Sequence, residues 1–112
     1  MGKTADLLQG TLDLLILRTL SLGPLHGVAI ADRIKQVTRG TFEIKAGSLF
    51  PALHRLEAEG RVRGEWGASP AGRRAKLYTL TKEGRKHLAE ETKLWSRVAL
   101  AIQQVLEMDA GA

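Results

Sequence analysis

The stretch AGSLFPALHRLEAEGRVRGEWGASPAGRRAKLYTL, residues 46–80, decides the fold, because it predicts a helix followed directly by a β-hairpin. Within residues 46–59, Leu49, Leu53 and Leu56 recur at the spacing of one helical face and mark the side that packs on a core. The opposite side begins with small residues, so this helix is able to approach another molecule closely.

The predicted hairpin has strands at 61–66 and 75–80, with Val62, Trp66, Leu77, Tyr78 and Leu80 as packing residues. The segment GASPAGRR between the strands is rich in Gly, Ser and Pro and predicts a turn. Residues 61–86 contain eight basic and two acidic side chains, whereas the whole chain has a net charge of +5. The excess positive charge is therefore concentrated on the hairpin and the residues just after it, which suggests a polyanionic partner, and a solvated hairpin without a ligand is the alternative.

Three further helices are predicted around this stretch. The first covers residues 5–21 and is apolar nearly all round, so it must be covered from more than one side. The second covers residues 26–37, with Val28, Ile30, Ala31, Ile34 and Val37 on its buried side. Thr81 is suited to cap a final long helix, in which Gly84 is expected to cost about 1 kcal/mol relative to Ala.

The order of these elements is that of a winged helix-turn-helix, a mainly α fold with a small β-hairpin. We expect residues 5–80 to form the DNA-binding domain and residues 81–108 to form a C-terminal dimerisation helix. The third helix would enter the major groove, and the hairpin would contact the backbone or the minor groove. The predicted DNA-binding residues are Lys45, Gly47, Ser48, Pro51, Ala52, His54, Arg55, Arg73, Arg74 and Lys76.

The final helix carries apolar residues at seven-residue spacing, which describes a seam against another helix. Together with the first helix, this seam predicts a homodimer with an interface formed by Leu8, Leu12, Leu15, Leu88, Trp95, Val98, Ile102 and Val105. Trp95 is large for a tight seam and is the predicted site of a small aromatic effector, although a packing role is the simpler reading. A two-fold dimer would read a palindromic operator in double-stranded DNA.

Other classes of function are disfavoured by the sequence. His26, His54 and His87 are scattered, and no spacing typical of a metal site, a hydrolase or a cofactor site is found, so an enzyme is not expected. The chain contains no cysteine, and no predicted signal peptide or membrane-spanning segment, which favours the cytoplasm. A winged helix that binds protein and not DNA stays the alternative, because such folds serve both uses.

Specific motifs resemble the PadR family of bacterial transcriptional regulators. They are GPLHGVAIADRI in the second helix, GSLFPALHRLEAEG in the third, and EWG followed by GRRAKLYTLTKEGRKHL through the hairpin and the last helix. The resemblance extends from Leu15 to Leu88 and implies a homodimeric winged-helix repressor, built on the first and last helices and controlled by a small molecule. The chain departs from the family pattern at His26, Lys45 and Phe50. Lys45 opposes the helix dipole there, which favours a phosphate contact, and a lysine that the fold merely tolerates is the alternative.

Overall fold

The computed structural model describes residues 9–111, and it is mainly helical with one three-stranded antiparallel sheet. The elements in chain order are α1 (Gln9–Leu20), β1 (Leu25–His26), α2 (Gly27–Val37), α3 (Ala46–Ala58), β2 (Val62–Ala68), β3 (Arg74–Leu80) and α4 (Lys82–Leu106). Within the described part of the chain, no helix is long and apolar enough to cross a membrane.

The core lies where α1, α2 and α3 meet the base of the sheet. Aliphatic side chains at helical spacing dominate it, as the leucine pattern of α3 predicts. The side chains with almost no exposure are Ile16, Leu17, Leu20, Ile30, Leu49, Leu53, Leu56 and Val62. Tyr78 and Leu80 of β3 close the core from the sheet side.

The sheet has β3 at its centre, with β1 on one side and β2 on the other. β2 pairs with β3 from Val62 opposite Leu80 to Ala68 opposite Arg74, so the hairpin is longer than predicted. β1 was not predicted. It pairs Leu25 with Tyr78 and His26 with Leu77, and so adds a third strand beside β3.

Two glycines allow close approach between elements. A Cβ on Gly27, where α2 begins, would lie 2.7 Å from the ring atom Cε1 of Phe50. A Cβ on Gly84 would overlap the backbone carbonyl of Arg61, so the predicted cost of this glycine is offset by a contact that only glycine permits. The predicted cap of α4 is confirmed, because the Thr81 hydroxyl accepts a hydrogen bond from the Gly84 N–H at 2.9 Å.

Three residues predicted to be buried are exposed. Val28 lies on the side of α2 opposite Ile30, and Val37 lies in the last turn beside an open groove. Trp66 is 58% exposed, because the hairpin extends past the core at this point.

Helix α4 extends well beyond the core. Its 25 residues measure about 37 Å, and it packs on α1 near its start, where Leu88 is buried. From Thr92 onward every described residue of the helix is exposed. The molecule is accordingly elongated, with extents of 61 × 32 × 21 Å.

Candidate nucleic-acid interface

The start of α3 is an open surface. Gly47, Ser48, Pro51 and His54 are exposed, while Leu49 and the other leucines on the opposite side hold the helix on the core. A Cβ on Gly47 would have no neighbour within 4 Å. The structure therefore brings together, on one side of the helix, most of the small and polar residues that the sequence selects for DNA contact.

Lys45 occupies the N-cap position of α3 with an extended backbone and no capping hydrogen bond from its side chain. Its side chain is 77% exposed, and its Nζ lies 3.6 Å from the Glu43 carboxylate. Glu43 is held more closely by Lys35 at 3.1 Å, and this hydrogen bond lowers the pKa of the Glu43 carboxyl. The Lys45 ammonium is thus close to the start of α3 and open to solvent.

The prediction that Ala52 lies on the outer side of α3 is wrong. Its side chain is 4% exposed and belongs to the core. Ala52 follows Leu49 by three residues, so it falls on the same face of the helix. This spacing was the signal that could have placed it correctly.

Arg55 also differs from its prediction as an outward-facing donor to a base. Its guanidinium forms two hydrogen bonds with the Asp13 carboxylate, at 2.7 and 2.8 Å, and its side chain is 28% exposed. The hydrogen bond to Asp13 raises the pKa of Arg55. The pair connects α3 to α1 and uses one planar edge of the guanidinium, formed by its two Nη atoms.

The hairpin from residue 63 to residue 76, which we call the wing, carries exposed cations. Arg63, Arg73 and Arg74 are all exposed. The turn between the strands is held by a hydrogen bond from the Ser69 N–H to the Arg73 carbonyl at 2.7 Å. Backbone hydrogen bonds of this kind fix the conformation of the turn, and with it the backbone position of Arg73.

Lys76 faces α3 and is not a free cation of the wing. Its Nζ donates to Glu57 at 2.9 Å, and its side chain is only 19% exposed. This hydrogen bond raises the pKa of Lys76. The Lys76 carbonyl lies 3.0 Å from Nδ1 of His26, so this residue of β3 contacts β1 through its backbone and α3 through its side chain.

A groove of about 370 Å³ separates the wing from α3. Phe50 and His54 line it on the helix side, and Trp66, Arg74 and Lys76 line it on the wing side. Within residues 9–111, no group of three or more His, Cys, Asp or Glu side chains is arranged to hold a metal ion.

The predicted dimer residues fall into two environments. Trp95, Val98, Ile102 and Val105 are exposed along α4. Leu12 and Leu88 are instead core residues of their own chain, at 7% and 8% exposure, so each has little surface left for a second copy. Leu15 is partly buried against that core, and Leu8 lies outside the described residues.

Residues 16–90 match the sequence model of the transcriptional regulator PadR-like family. This is about two-thirds of the chain, from α1 to the first turns of α4. The chain belongs to the PadR-like family of transcriptional regulators. The matched range contains α3 and the wing, so the PadR-like part of the chain includes the surface described above.

Known PadR-like and related proteins agree with this assignment. A crystal structure of a PadR family regulator from Eggerthella lenta is 29% identical, with a TM-score of 0.76 over 90% of this chain and 86% of the other. A transcriptional regulator from Clostridium thermocellum is 28% identical, with a TM-score of 0.79 over 89% and 97%. A transcriptional regulator from Mycobacterium tuberculosis is 31% identical over 66% of this chain and 65% of its own length.

Proposed function

We propose that this PadR-like regulator is a homodimeric repressor that binds a palindromic operator in double-stranded DNA. The observation that carries the proposal is the groove in which Phe50 and the exposed His54 of α3 lie across from the exposed Arg74 of the wing. A reading surface next to a phosphate-binding surface is what a winged helix needs to bind duplex DNA.

In this proposal the start of α3 enters the major groove. Gly47 and Pro51 allow close approach, while Ser48 and His54 offer hydrogen-bonding groups to base edges. Lys45 would contact a DNA phosphate at the edge of the major groove. We assign Arg55 to the link between α3 and α1 and not to base reading, since two of its N–H groups already bind the Asp13 carboxylate.

The wing would add affinity that does not depend on sequence. Arg73 and Arg74 lie at its tip, and Arg63 lies on the adjacent strand. Arginine side chains bind phosphate oxygens through planar, charge-assisted hydrogen bonds. Each such contact releases counterions from the DNA, so the binding constant should fall steeply with salt.

Dimerisation would use the exposed apolar face of α4. Trp95, Val98, Ile102 and Val105 would lie against the same residues of a second copy, since a two-fold interface uses one patch twice. The two α3 helices would then meet half-sites about one helical turn apart. A planar aromatic effector that binds near Trp95 would release the DNA if it bound more tightly to a dimer in which the two α3 helices are differently spaced.

The central experiment is the selection of bound sequences from a random duplex pool, followed by measurement of affinity by fluorescence anisotropy across a salt series. We expect an enriched palindrome. Changing Arg73 and Arg74 together to Ala should weaken binding to operator and unrelated duplex alike, and lower the salt slope by about 0.9 for each lost phosphate contact.

A matched control removes two exposed cations away from the wing, Arg85 and Lys86 of α4, and should leave the slope unchanged. If the wild-type protein binds no duplex at low salt, the DNA-binding proposal fails and a protein-interaction role takes its place. The effector is tested separately by titrating planar aromatic compounds while Trp fluorescence is followed. Quenching that survives Trp95→Ala would leave Trp95 a packing residue.

A further inference from the structure

Trp66 lies beside two cations on the exposed part of the wing. The Cζ atom of Arg74 is 4.3 Å from the centroid of the Trp66 ring, and the Nζ atom of Lys76 is 5.5 Å from it. Trp66 and Lys76 are direct partners across the hairpin, and Arg74 lies two residues before Lys76 on the same face. The ring is 58% exposed, so burial does not explain its presence here.

The two cations are not equivalent. Lys76 donates a hydrogen bond to Glu57 at 2.9 Å, so its charge is offset within the protein. Among the ion pairs found in residues 9–111, none involves Arg74. Arg74 therefore packs on the indole face and has no carboxylate partner in the described part of the chain.

A guanidinium that lies over an aromatic ring keeps its N–H donors for another partner, because those donors lie in its own plane. Attraction to the ring also restricts the rotamers of the long side chain before any ligand arrives, which reduces the entropy lost on binding. The ligand that suits a planar, fixed guanidinium is an oxyanion with two acceptor oxygens, such as a phosphodiester.

The location of the stack indicates which phosphodiester it would meet. Trp66 and Arg74 line the wing side of the groove, and Phe50 and His54 of α3 line the other side. If the start of α3 lies in the major groove, the flanking DNA strand passes between α3 and the wing. A backbone phosphate of that strand would then be within reach of Arg74.

We propose that Trp66 is a positioning residue, which holds Arg74 so that its guanidinium donates to a backbone phosphate of the strand between α3 and the wing. This inference rests on the proposed DNA binding. It assigns Trp66 a role in affinity that is independent of sequence, and it explains why a large aromatic side chain is exposed at this position.

The test is a double-mutant cycle on a short fluorescein-labelled duplex of unrelated sequence, followed by anisotropy across a salt series. Arg74→Ala should lower the salt slope by about 0.9, the value for one phosphate contact. Trp66→Ala should weaken binding by about two- to fivefold, as expected for an exposed cation–π contact. The double variant should bind no more weakly than Arg74→Ala, because the ring then has no guanidinium to hold.

Two conservative variants separate positioning from packing. Trp66→Phe keeps an aromatic face and should retain affinity within about twofold, whereas Trp66→Leu keeps apolar bulk without that face and should behave as Trp66→Ala. Thermal unfolding of Trp66→Leu should match that of the wild type, since the side chain is largely exposed. A second cycle is the control: the effects of Trp66→Ala and Arg73→Ala on the free energy of duplex binding should be additive.

The outcomes distinguish this inference from the function on which it rests. Wild-type affinity in Trp66→Leu, or fully independent effects of Trp66→Ala and Arg74→Ala, would overturn the positioning role and leave DNA binding intact. If the wild-type protein binds no duplex, the proposed function fails, and the positioning role fails with it.

Discussion

Ser48 and Ala52 lie about one turn apart on α3, in opposite environments. Ser48 is exposed at the start of the helix, and Ala52 is 4% exposed in the core. We expect Ser48→Glu to abolish duplex binding, because it places bulk and negative charge on the approach surface, while the free energy of unfolding changes by less than about 0.5 kcal/mol. Ala52→Glu should instead unfold the domain, since it buries an unpaired carboxylate.

Circular dichroism with urea unfolding, together with anisotropy on labelled duplex, measures both variants. Ser48→Ala is the control for Ser48→Glu, because it removes the hydroxyl without adding charge. Normal duplex binding by Ser48→Glu would exclude the start of α3 from the interface. A folded Ala52→Glu protein of wild-type stability would contradict the burial of this position.

The pair between Arg55 and Asp13 should contribute to stability and not to base recognition. Arg55→Ala would leave the Asp13 carboxylate, whose side chain is 11% exposed, without its partner. We expect a loss of about 2–3 kcal/mol in the free energy of unfolding, somewhat below the value for a fully buried pair. Arg63→Ala, which removes an exposed arginine, should change stability by less than about 0.5 kcal/mol. Equal stability of the two variants in urea would mean that the pair contributes nothing.

These residues also show what local sequence pattern can and cannot determine. The spacing of Leu49, Leu53 and Leu56 predicts which side of α3 is buried, and the same rule assigns Ala52 to that side. The partner of Arg55 is Asp13, 42 residues earlier, and no local pattern connects them. A basic residue beside a reading surface therefore resembles a DNA contact until the tertiary structure shows its acidic partner.

At the scale of elements, β3 makes stability sensitive to alkaline pH. Burial raises the pKa of Tyr78 above its ordinary value of 10.0, and the hydrogen bond to Glu57 raises that of Lys76 above 10.5. Both groups hold their protons more tightly in the folded state, so the unfolded state releases protons first as pH rises. Stability from these groups is fully present below about pH 10, and we expect it to fall as pH increases from there.

Urea unfolding at a series of pH values from neutral to alkaline measures this loss. Tyr78→Phe should remove the part of this pH-dependent loss of stability that arises from the Tyr78 phenol. Glu57→Gln should remove much of the part that arises from Lys76. Thr79→Val on the same strand is a control without a titratable group and should follow the wild-type profile. A wild-type protein whose stability stays constant through this range would contradict the prediction.

The main elements were predictable from sequence, because each has a strong local signal. Helical leucine spacing, the turn residues of the hairpin and the Thr81 cap each specify one element, and the structure contains all of them. β1 was missed because two residues carry no period, and this strand exists by pairing with β3, more than fifty residues later. Trp66 was misplaced because its residue type favours burial, whereas the length of the hairpin decides its exposure.

At the scale of the whole molecule, α4 extends well past the domain against which its first turns pack. Its first turns pack on α1, and its remaining turns expose a series of large apolar side chains, from Leu94 to Leu106. Exposed apolar surface of this kind is typical of interaction sites, and we propose it as the dimer interface. The seven-residue spacing predicts which side chains form the patch, but it could not show that Leu88 and Leu12 are already used within the chain.

The proposed dimer makes a prediction about both assembly and DNA binding. Ile102 is 50% exposed in the single chain, so Ile102→Asp should leave the folded monomer stable. In the dimer the same change would bury an unpaired carboxylate near its own symmetry mate, and sedimentation should therefore show a monomer. Gln104→Asp is the control, because it adds the same charge at a position that lies almost opposite Ile102 on the helix. The Gln104→Asp protein should remain a dimer.

Dissociation should then reduce operator affinity while leaving affinity for a single half-site unchanged. Two linked DNA-binding domains bind a palindrome more tightly than one domain does, because the second domain meets its half-site at a high effective concentration. The ratio of affinities for a full palindrome and for one half-site should thus fall to about one in Ile102→Asp and stay high in Gln104→Asp. An Ile102→Asp protein that sediments as a dimer would show that this face of α4 is not the interface. A monomer with an unchanged ratio would show that the dimer is not what reads the operator.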